Sequence, residues 1–259
     1  MSPADYEYRG LMAKTWDLFR GDTSKWEDRG FYLEIIREKG QPVLDVGCGT
    51  GRLLLDFMAQ GIDIDGVDNS PEMLALCREK AEAMGLMPKL YKNKMESMRL
   101  PRQYQTIIVP SSSFQLVLEP ADAQRSILNL FEHLLGGGFL VMPFMQIWKR
   151  GEPLESDWQI SGEKTRLEDG AIYKRWSKSR FDPETQLEHN EDRYEVIKDG
   201  VMIAAEYHVQ SPATREYTRQ QAIELYTRAG FVDITIYQGF TRLPSVEGDP
   251  IFSIVGRKP

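Results

Sequence analysis

With 259 residues, 41% hydrophobic and 27% charged, the chain is long enough for one full core, with or without an elaboration, and has the make-up of a soluble globular protein. Its formal charge of -7 argues against nucleic acid or an anionic membrane as the main partner, since both reward a basic surface. Two cysteines exclude a disulfide framework and read as reduced thiols of a cytoplasmic protein, and neither a membrane-spanning run nor the charged-then-apolar order of a signal peptide is visible.

Taken in chain order, residues 5–20 predict a helix with Trp16, Leu18 and Phe19 on its apolar side. Ser24-Lys25-Trp26-Glu27 predicts a capping box that opens a second helix running towards Gly40. Val43-Leu44-Asp45-Val46 reads as a buried strand, followed by the glycine turn Gly47-Cys48-Gly49-Thr50-Gly51 and a helix over 50–60. Glycine lets the backbone bend sharply and lets a ligand approach the main chain, while the helix start offers unpaired amides and a positive dipole end. The third glycine comes one residue earlier than in the G-x-G-x-x-G dinucleotide fingerprint, and Arg52 occupies its place. Such a turn suits a ligand whose linker carries no phosphate.

A second strand over 62–68 ends at Asp68, 21 residues past Gly47, where an acid accepts hydrogen bonds from ribose hydroxyls. Ser70-Pro71-Glu72 then caps a helix over 70–84. A strand over 87–92, a buried strand from Tyr104 to Pro110, a helix over 120–135 stopped by Gly136-Gly137-Gly138, and a strand over 139–144 follow. Strands alternating with helices predict a parallel sheet covered on both faces. From about 156 to 210 the helical period disappears, and Asp199-Gly200 marks a two-residue hairpin. We read residues 146–215 as an inserted antiparallel meander of three or four strands, forming a substrate roof or a dimer contact. The α/β domain of residues 1–145 resumes over 216–259, with Thr218 capping a helix that Gly230 stops and strands following from Phe231 and Ile251.

Leu44-Asp45-Val46-Gly47-Cys48-Gly49-Thr50-Gly51 and Gly66-Val67-Asp68-Asn69-Ser70-Pro71-Glu72-Met73-Leu74 resemble the first and second motifs of the class I S-adenosylmethionine-dependent methyltransferases. The resemblance implies an α/β fold, a doubly wound and mostly parallel seven-stranded sheet, S-adenosylmethionine as cofactor, and methyl transfer to nitrogen or oxygen of a small molecule. It places Asp45, Gly47, Cys48 and Gly49 at the methionine part of the cofactor, Asp68 at the ribose, and Asn69 and Met73 near the adenine. Lys94 stands where the family has an acid, so the Met95 amide and Glu96 are the expected adenine contacts. Trp16-Asp17 falls where related enzymes carry an aromatic-Asp pair on a lid helix, and the Trp16 face would favour the sulfonium.

The end of the fourth strand reads Val109-Pro110-Ser111-Ser112-Ser113-Phe114. It lacks the double proline of amino-methylating DNA enzymes, the Pro-Cys pair of enzymes acting on carbon 5 of cytosine, and the aspartate of metal-dependent catechol enzymes. Pro110 is therefore expected beside the cofactor's methyl group and Ser111, Phe114 and Gln115 against the substrate, with no catalytic residue assigned. His133 reads as structural, His189 and His208 as bases or solvated strand positions, and the three are too scattered for a metal site. Lys174, Arg175, Lys178, Arg180 and Arg193 read as an outer face paired with Glu188, Asp192 and Glu206, or as an anion site. The expected partner is a small molecule, and the expected assembly a monomer or homodimer. The competing reading is a non-catalytic S-adenosylmethionine-binding module on the same fold.

Overall fold

The computed structural model describes residues 7–259, and the backbone alone at 210–212. Two short helices open it, α1 (Gly10–Lys14) and α2 (Trp16–Arg20), where the sequence predicts one. The break falls at Thr15, whose hydroxyl donates back to the Leu11 carbonyl at 2.7 Å. Residues 5 and 6 of the predicted helix lie outside the described residues. The predicted capping box at Ser24 does not form: α3 (Glu27–Lys39) starts after Trp26, without a side-chain cap, and the Ser24 amide donates to Asp22 instead.

The α/β pattern follows as β1 (Val43–Val46), α4 (Arg52–Ala59), β2 (Ile64–Asp68), α5 (Pro71–Ala83), β3 (Leu90–Lys92), β4 (Tyr104–Ile108), α6 (Pro120–Glu132) and β5 (Leu134–Met145). Four long strands come next, β6 (Gln159–Thr165), β7 (Ile172–Asp182), β8 (Leu187–Lys198) and β9 (Val201–Arg215). The chain ends with α7 (Arg219–Ala229), β10 (Val232–Gln238) and β11 (Ile251–Arg257).

The first sheet has seven strands in the order β10-β11-β5-β4-β1-β2-β3. Only β11 runs antiparallel, to both β5 and β10. Alternation along β1 sends Leu44 and Val46 into the core shared with α6 and α7, and Val43 into the core shared with α3 and α4. Burying each such side chain stabilises the fold by roughly 1.5–3 kcal/mol. The predicted caps form at Ser70, whose hydroxyl accepts from the Met73 amide at 3.1 Å, and as a reciprocal box between Thr218 and Gln221. The glycines at 136–138 do not stop α6. The chain passes from α6 through His133 directly into β5, and these glycines sit inside that strand where its pairing with β4 slips register.

The second sheet is antiparallel, in the order β6-β7-β8-β9. Asp199 (φ 52°) and Gly200 (φ 76°) turn its hairpin with both residues left-handed, as the dipeptide predicts. One face packs on α1 and α2 through Leu11, Met12, Tyr173, Tyr194 and Val196. Phe19 lies so close that a Cβ on Gly162 would stand 2.8 Å from its ring.

Candidate active site

Strand order reverses at β1, between β4 and β2, and ligands of open α/β sheets sit beyond the carboxyl ends of the strands at such a point. A cavity of about 550 Å³ opens there. Residues 45–50 and Arg52 line its centre, and Tyr8, Trp16 and Arg20 close one side.

The glycine turn is held over β2 by the amides of Gly47 and Cys48, which both donate to the Val67 carbonyl, at 2.8 and 3.1 Å. Gly47 is left-handed (φ 73°), and a Cβ on it would meet the Ser113 hydroxyl at 2.7 Å. Gly49 is left-handed too (φ 54°), and its amide donates to Asp68 Oδ2 at 2.8 Å, while the Ser70 amide donates to Asp68 Oδ1 at 2.8 Å. Asp68 thus pins the turn and keeps its remaining lone pairs for a ligand. Burial raises its pKa against the opposing pull of the Ser70, Gly49 and Asn69 amides.

Asp45 lies beneath the turn at 1% exposure, and its Oδ1 has no hydrogen-bond partner. Burial pushes its pKa up to about 7, with Arg52 pulling it down and Asp68 and Asp28 pushing it further up. Arg52, in the place of the third glycine, is paired with Asp28 of α3 through two bonds of 2.9 and 2.5 Å. A buried carboxylate oxygen without a donor, under a bare left-handed turn, fits the amino group of S-adenosylmethionine.

Asn69 and Met73 lie on the far side of the turn, with Asn93, Lys94, Met95 and Glu96 beyond them, so the residues expected near adenine all line the cavity. Trp16 lines it as well, its Nε1 4.0 Å from the Cβ position of Gly49. The cation over its face comes from the chain itself: the Arg20 guanidinium sits 3.7 Å from the ring centroid. Asp17 latches α2 to the turn, accepting from Thr50 Oγ1 at 2.8 Å and pairing with Lys80 at 2.6 Å.

At the other end of the cavity stand Pro110 and residues 111–113, with Ser113 Oγ donating to the Pro110 carbonyl at 2.8 Å. Phe114 and Gln115 do not line it, contrary to expectation. A 3-10 turn over Ser113–Leu116 rotates both inward. Phe114 packs on Phe144 and Tyr217, each 5.9 Å away between ring centroids. Gln115 is fully buried, donating to the carbonyls of Met145 (2.9 Å) and Arg215 (3.0 Å) and accepting from the Met145 amide (2.8 Å). It ties the exit of β5 to the end of β9. Gln115→Leu is accordingly expected to lower stability by about 3 kcal/mol, because three backbone groups lose their partner together. Chemical denaturation measures it, and an unchanged midpoint would refute the tie.

Leu116, Val117, Leu118, Glu119 and Asp122 line the cavity in their stead. Spacing along the sequence missed them, and Tyr8 and Arg20 also. Arg20 carries one readable signal, since it follows Trp16 by four residues on a helix and so shares its face.

The meander contributes nothing to the lining among the described residues. Its link is indirect: Glu206 Oε2 accepts from the Leu11 amide at 2.7 Å and lies 3.2 Å from His208 Nε2, so β9 holds the start of α1. Neither His189 nor His208 lines the cavity. His133 accepts from the Leu100 amide through Nε2 at 3.1 Å and donates through Nδ1 to the Asn129 carbonyl at 2.7 Å, a structural arrangement. Of the basic cluster, Arg175 pairs with Asp192 as expected, whereas Lys174, Lys178 and Arg193 find Glu163, Glu191 and Glu195. Among the described residues no group of three or more His, Cys, Asp or Glu side chains could hold a metal ion, and no helix is long and apolar enough to cross a membrane.

Residues 43–138 match the model of a methyltransferase domain family. A relative from Geobacillus sp. (strain WCH70), itself named as a methyltransferase, is 25% identical over 84% of this chain and 85% of its own. The phosphatidylethanolamine N-methyltransferase of Cereibacter sphaeroides is 32% identical over 41% of this chain, which spans about half of that protein's length (52%). Among solved structures, an S-adenosylmethionine-dependent methyltransferase from Clostridium acetobutylicum superposes with a TM-score of 0.75 at 16% identity, covering 96% of this chain and 97% of that one. The sugar N-methyltransferase KedS8 from Streptoalloteichus superposes with a TM-score of 0.71 at 20% identity, covering 94% and 92%. The reversed strand order, the left-handed glycine turn pinned by Asp68 and the matched domain agree: the chain carries a methyltransferase domain over residues 43–138 and is an S-adenosylmethionine-dependent methyltransferase, with S-adenosylmethionine as its cofactor.

Proposed function

We propose that this methyltransferase acts on an amine nitrogen of a small molecule, and that residues 1–145 and 216–259 form the catalytic unit while 146–215 brace the N-terminal helices. One observation carries the choice of nitrogen. The substrate end of the cavity offers serines, apolar residues 116–118, and the carboxylates Glu119 and Asp122, with no histidine among the described lining residues. An alcohol needs a base to become a nucleophile, whereas an amine needs only to lose the proton of its ammonium form. Glu119 at that end favours the approach of that cation, while Asp122 is paired with Arg125. The likeness to a sugar N-methyltransferase supports the same reading.

Bound S-adenosylmethionine supplies an already activated methyl group on a sulfonium. The protein's task is then to align acceptor and donor and to exclude water, and alignment alone is worth about 7–11 kcal/mol. By this proposal Asp45 and the glycine turn hold the methionine end, Asp68 the ribose, and Asn69, Met73, Met95 and Glu96 surround the adenine. Pro110 and Ser111 flank the path between methyl and acceptor.

The test is transfer of labelled methyl to a panel of small amines, amino sugars included, matched against the corresponding alcohols. Label on amines is expected. Label on alcohols alone would overturn the nitrogen assignment. Tight S-adenosylhomocysteine binding without transfer to any acceptor would favour a non-catalytic binding module.

A further inference from the structure

A second cavity, of about 470 Å³, opens between α6 and α7 and shares no lining residue with the first. Pro120 and Leu225 contribute to its apolar wall, and Arg215 and Tyr217, at the end of β9 and just beyond it, line it as well. Arg215 Nε donates to the Leu118 carbonyl at 2.5 Å and Nη1 to the Thr185 carbonyl at 3.0 Å. Both acceptors are neutral. Among the described residues no carboxylate pairs with this guanidinium, and its Nη2 has no acceptor. The acids of the lining are engaged elsewhere: Glu216 Oε2 accepts from the Ile147 and Trp148 amides at 3.1 and 3.0 Å, and Glu224 lies 3.5 Å from Arg228. The Tyr217 ring packs on Phe114 and Phe144, 5.9 and 5.5 Å away between centroids. Its hydroxyl is buried and has no hydrogen-bond partner among the described residues. Burial raises its pKa to about 12 while the nearby Arg215 pulls it down, so it stays a neutral donor at ordinary pH. Gln186, in the turn after β7, exchanges two amide hydrogen bonds with Gln221, at 2.7 and 3.3 Å, and so ties that turn to α7 along the lining.

One cavity, of a size that encloses small molecules, thus brings together a cation without a counter-charge and a hydroxyl without an acceptor. Buried donors left unpaired are rare and call for a partner. A neutral or cationic occupant leaves the guanidinium uncompensated, whereas a carboxylate offers one charged oxygen to each donor. We infer that this second cavity binds a small organic carboxylate, with Arg215 supplying the charge, Tyr217 a neutral hydrogen bond, and Pro120 and Leu225 the contact for its apolar body. The site is separate from that of the cofactor, and the inference does not depend on nitrogen being the methyl acceptor. It borders the first cavity through Leu118, which lines that cavity and whose carbonyl Arg215 holds.

The experiment is an NMR titration of the full chain, with S-adenosylhomocysteine present throughout so that the first cavity is filled. The probes are benzoate, its neutral isostere benzamide, and inorganic phosphate, an anion without an apolar body. Benzoate is expected to bind about 10- to 100-fold more tightly than benzamide, the range for one charge-assisted pair, and more tightly than phosphate. Arg215→Gln should lose about the same factor for benzoate and leave benzamide within about threefold. Tyr217→Phe removes only the hydroxyl and should weaken benzoate about three- to tenfold. The thermal unfolding midpoint of that variant, measured without ligand, should hold or rise, because an unpartnered buried group goes with the substitution. A lower midpoint with unchanged benzoate binding would mark the hydroxyl as structural and overturn the inference. Equal binding of benzoate and benzamide, or benzoate binding unaffected by Arg215→Gln, would overturn it too. Phosphate bound as tightly as benzoate would reduce the cavity to a patch for inorganic anions and refute the organic carboxylate. No saturable benzoate binding by wild type refutes the site itself. Should Arg215→Gln fail to fold, having lost its hold on two carbonyls, Tyr217→Phe decides by the same criteria.

Discussion

Replacing Asp68 with alanine is expected to weaken S-adenosylhomocysteine binding by more than tenfold and to weaken 5′-methylthioadenosine equally. The carboxylate is already engaged on its protein side, by the amides of Gly49 and Ser70 at 2.8 Å each, so its geometry is set before any ligand arrives. Hydrogen bonds from ribose hydroxyls to a charged acceptor are worth roughly 1.5–3 kcal/mol each, and losing them spans about tenfold to a few hundredfold. The same change frees two backbone amides, and the cost to stability is about 2 kcal/mol. Calorimetry with both nucleosides, beside thermal unfolding of the free protein, separates the two effects. An affinity within threefold of wild type would refute the ribose assignment. An equal loss on both ligands places the effect on the nucleoside they share and not on the amino acid that only one of them carries.

The parts of this site that could be read from sequence are those set within a few residues. The turn from Gly47 to Gly51 needs left-handed backbone at its glycines, and only glycine adopts it cheaply. The cap at Ser70 with Pro71 behind it, the Thr218–Gln221 box and the Asp199-Gly200 hairpin are equally local, and each forms as its spacing predicts. Misreadings arose where a distant partner decides. Phe114 and Gln115 follow Pro110 closely enough to suggest substrate contacts, but a 3-10 turn and the pull of Met145 and Arg215 carry Gln115 into the interior. Gly136, Gly137 and Gly138 look like a helix stop, yet strand pairing with β4 absorbs them. The meander leaves β5 on the cavity edge of the sheet, which suggested a roof, whereas two short helices come between it and the ligand space. Tyr8 and Arg20 reach the cavity because Ser70 holds the Tyr8 carbonyl and α2 is fixed by the Asp17 latch on one side and the second sheet on the other, relations no spacing encodes.

Asp45→Asn is expected to act in opposite directions on stability and on binding. In the free protein burial raises the Asp45 pKa to about 7, against about 3.9 for an unfolded aspartate. Between those two values the folded chain keeps a proton that the unfolded chain has lost, so stability falls as pH rises from about 4 to about 7 and then levels off. The penalty for holding the ionised acid amounts to at most about 4 kcal/mol. Asparagine cannot ionise and removes that slope. Relative to wild type, the variant should therefore gain stability as pH rises from 5 to about 7 and keep a constant advantage above that, as thermal unfolding at intermediate pH values would trace. Ligand binding should run the other way. An ammonium group beside Oδ1 favours the ionised acid, so wild-type affinity for S-adenosylhomocysteine should climb as pH rises towards 7 and flatten above it, while Asp45→Asn binds weakly at every pH. A wild-type affinity flat from pH 5.5 to 8 would refute the pairing of Asp45 with the ligand's amino group. A stability gap that does not change with pH would refute the buried, proton-holding state of the free protein. If both trends appear, the fold tolerates an unpaired acid beneath its glycine turn because a cationic ligand satisfies it, and its removal stabilises the empty protein at the expense of binding.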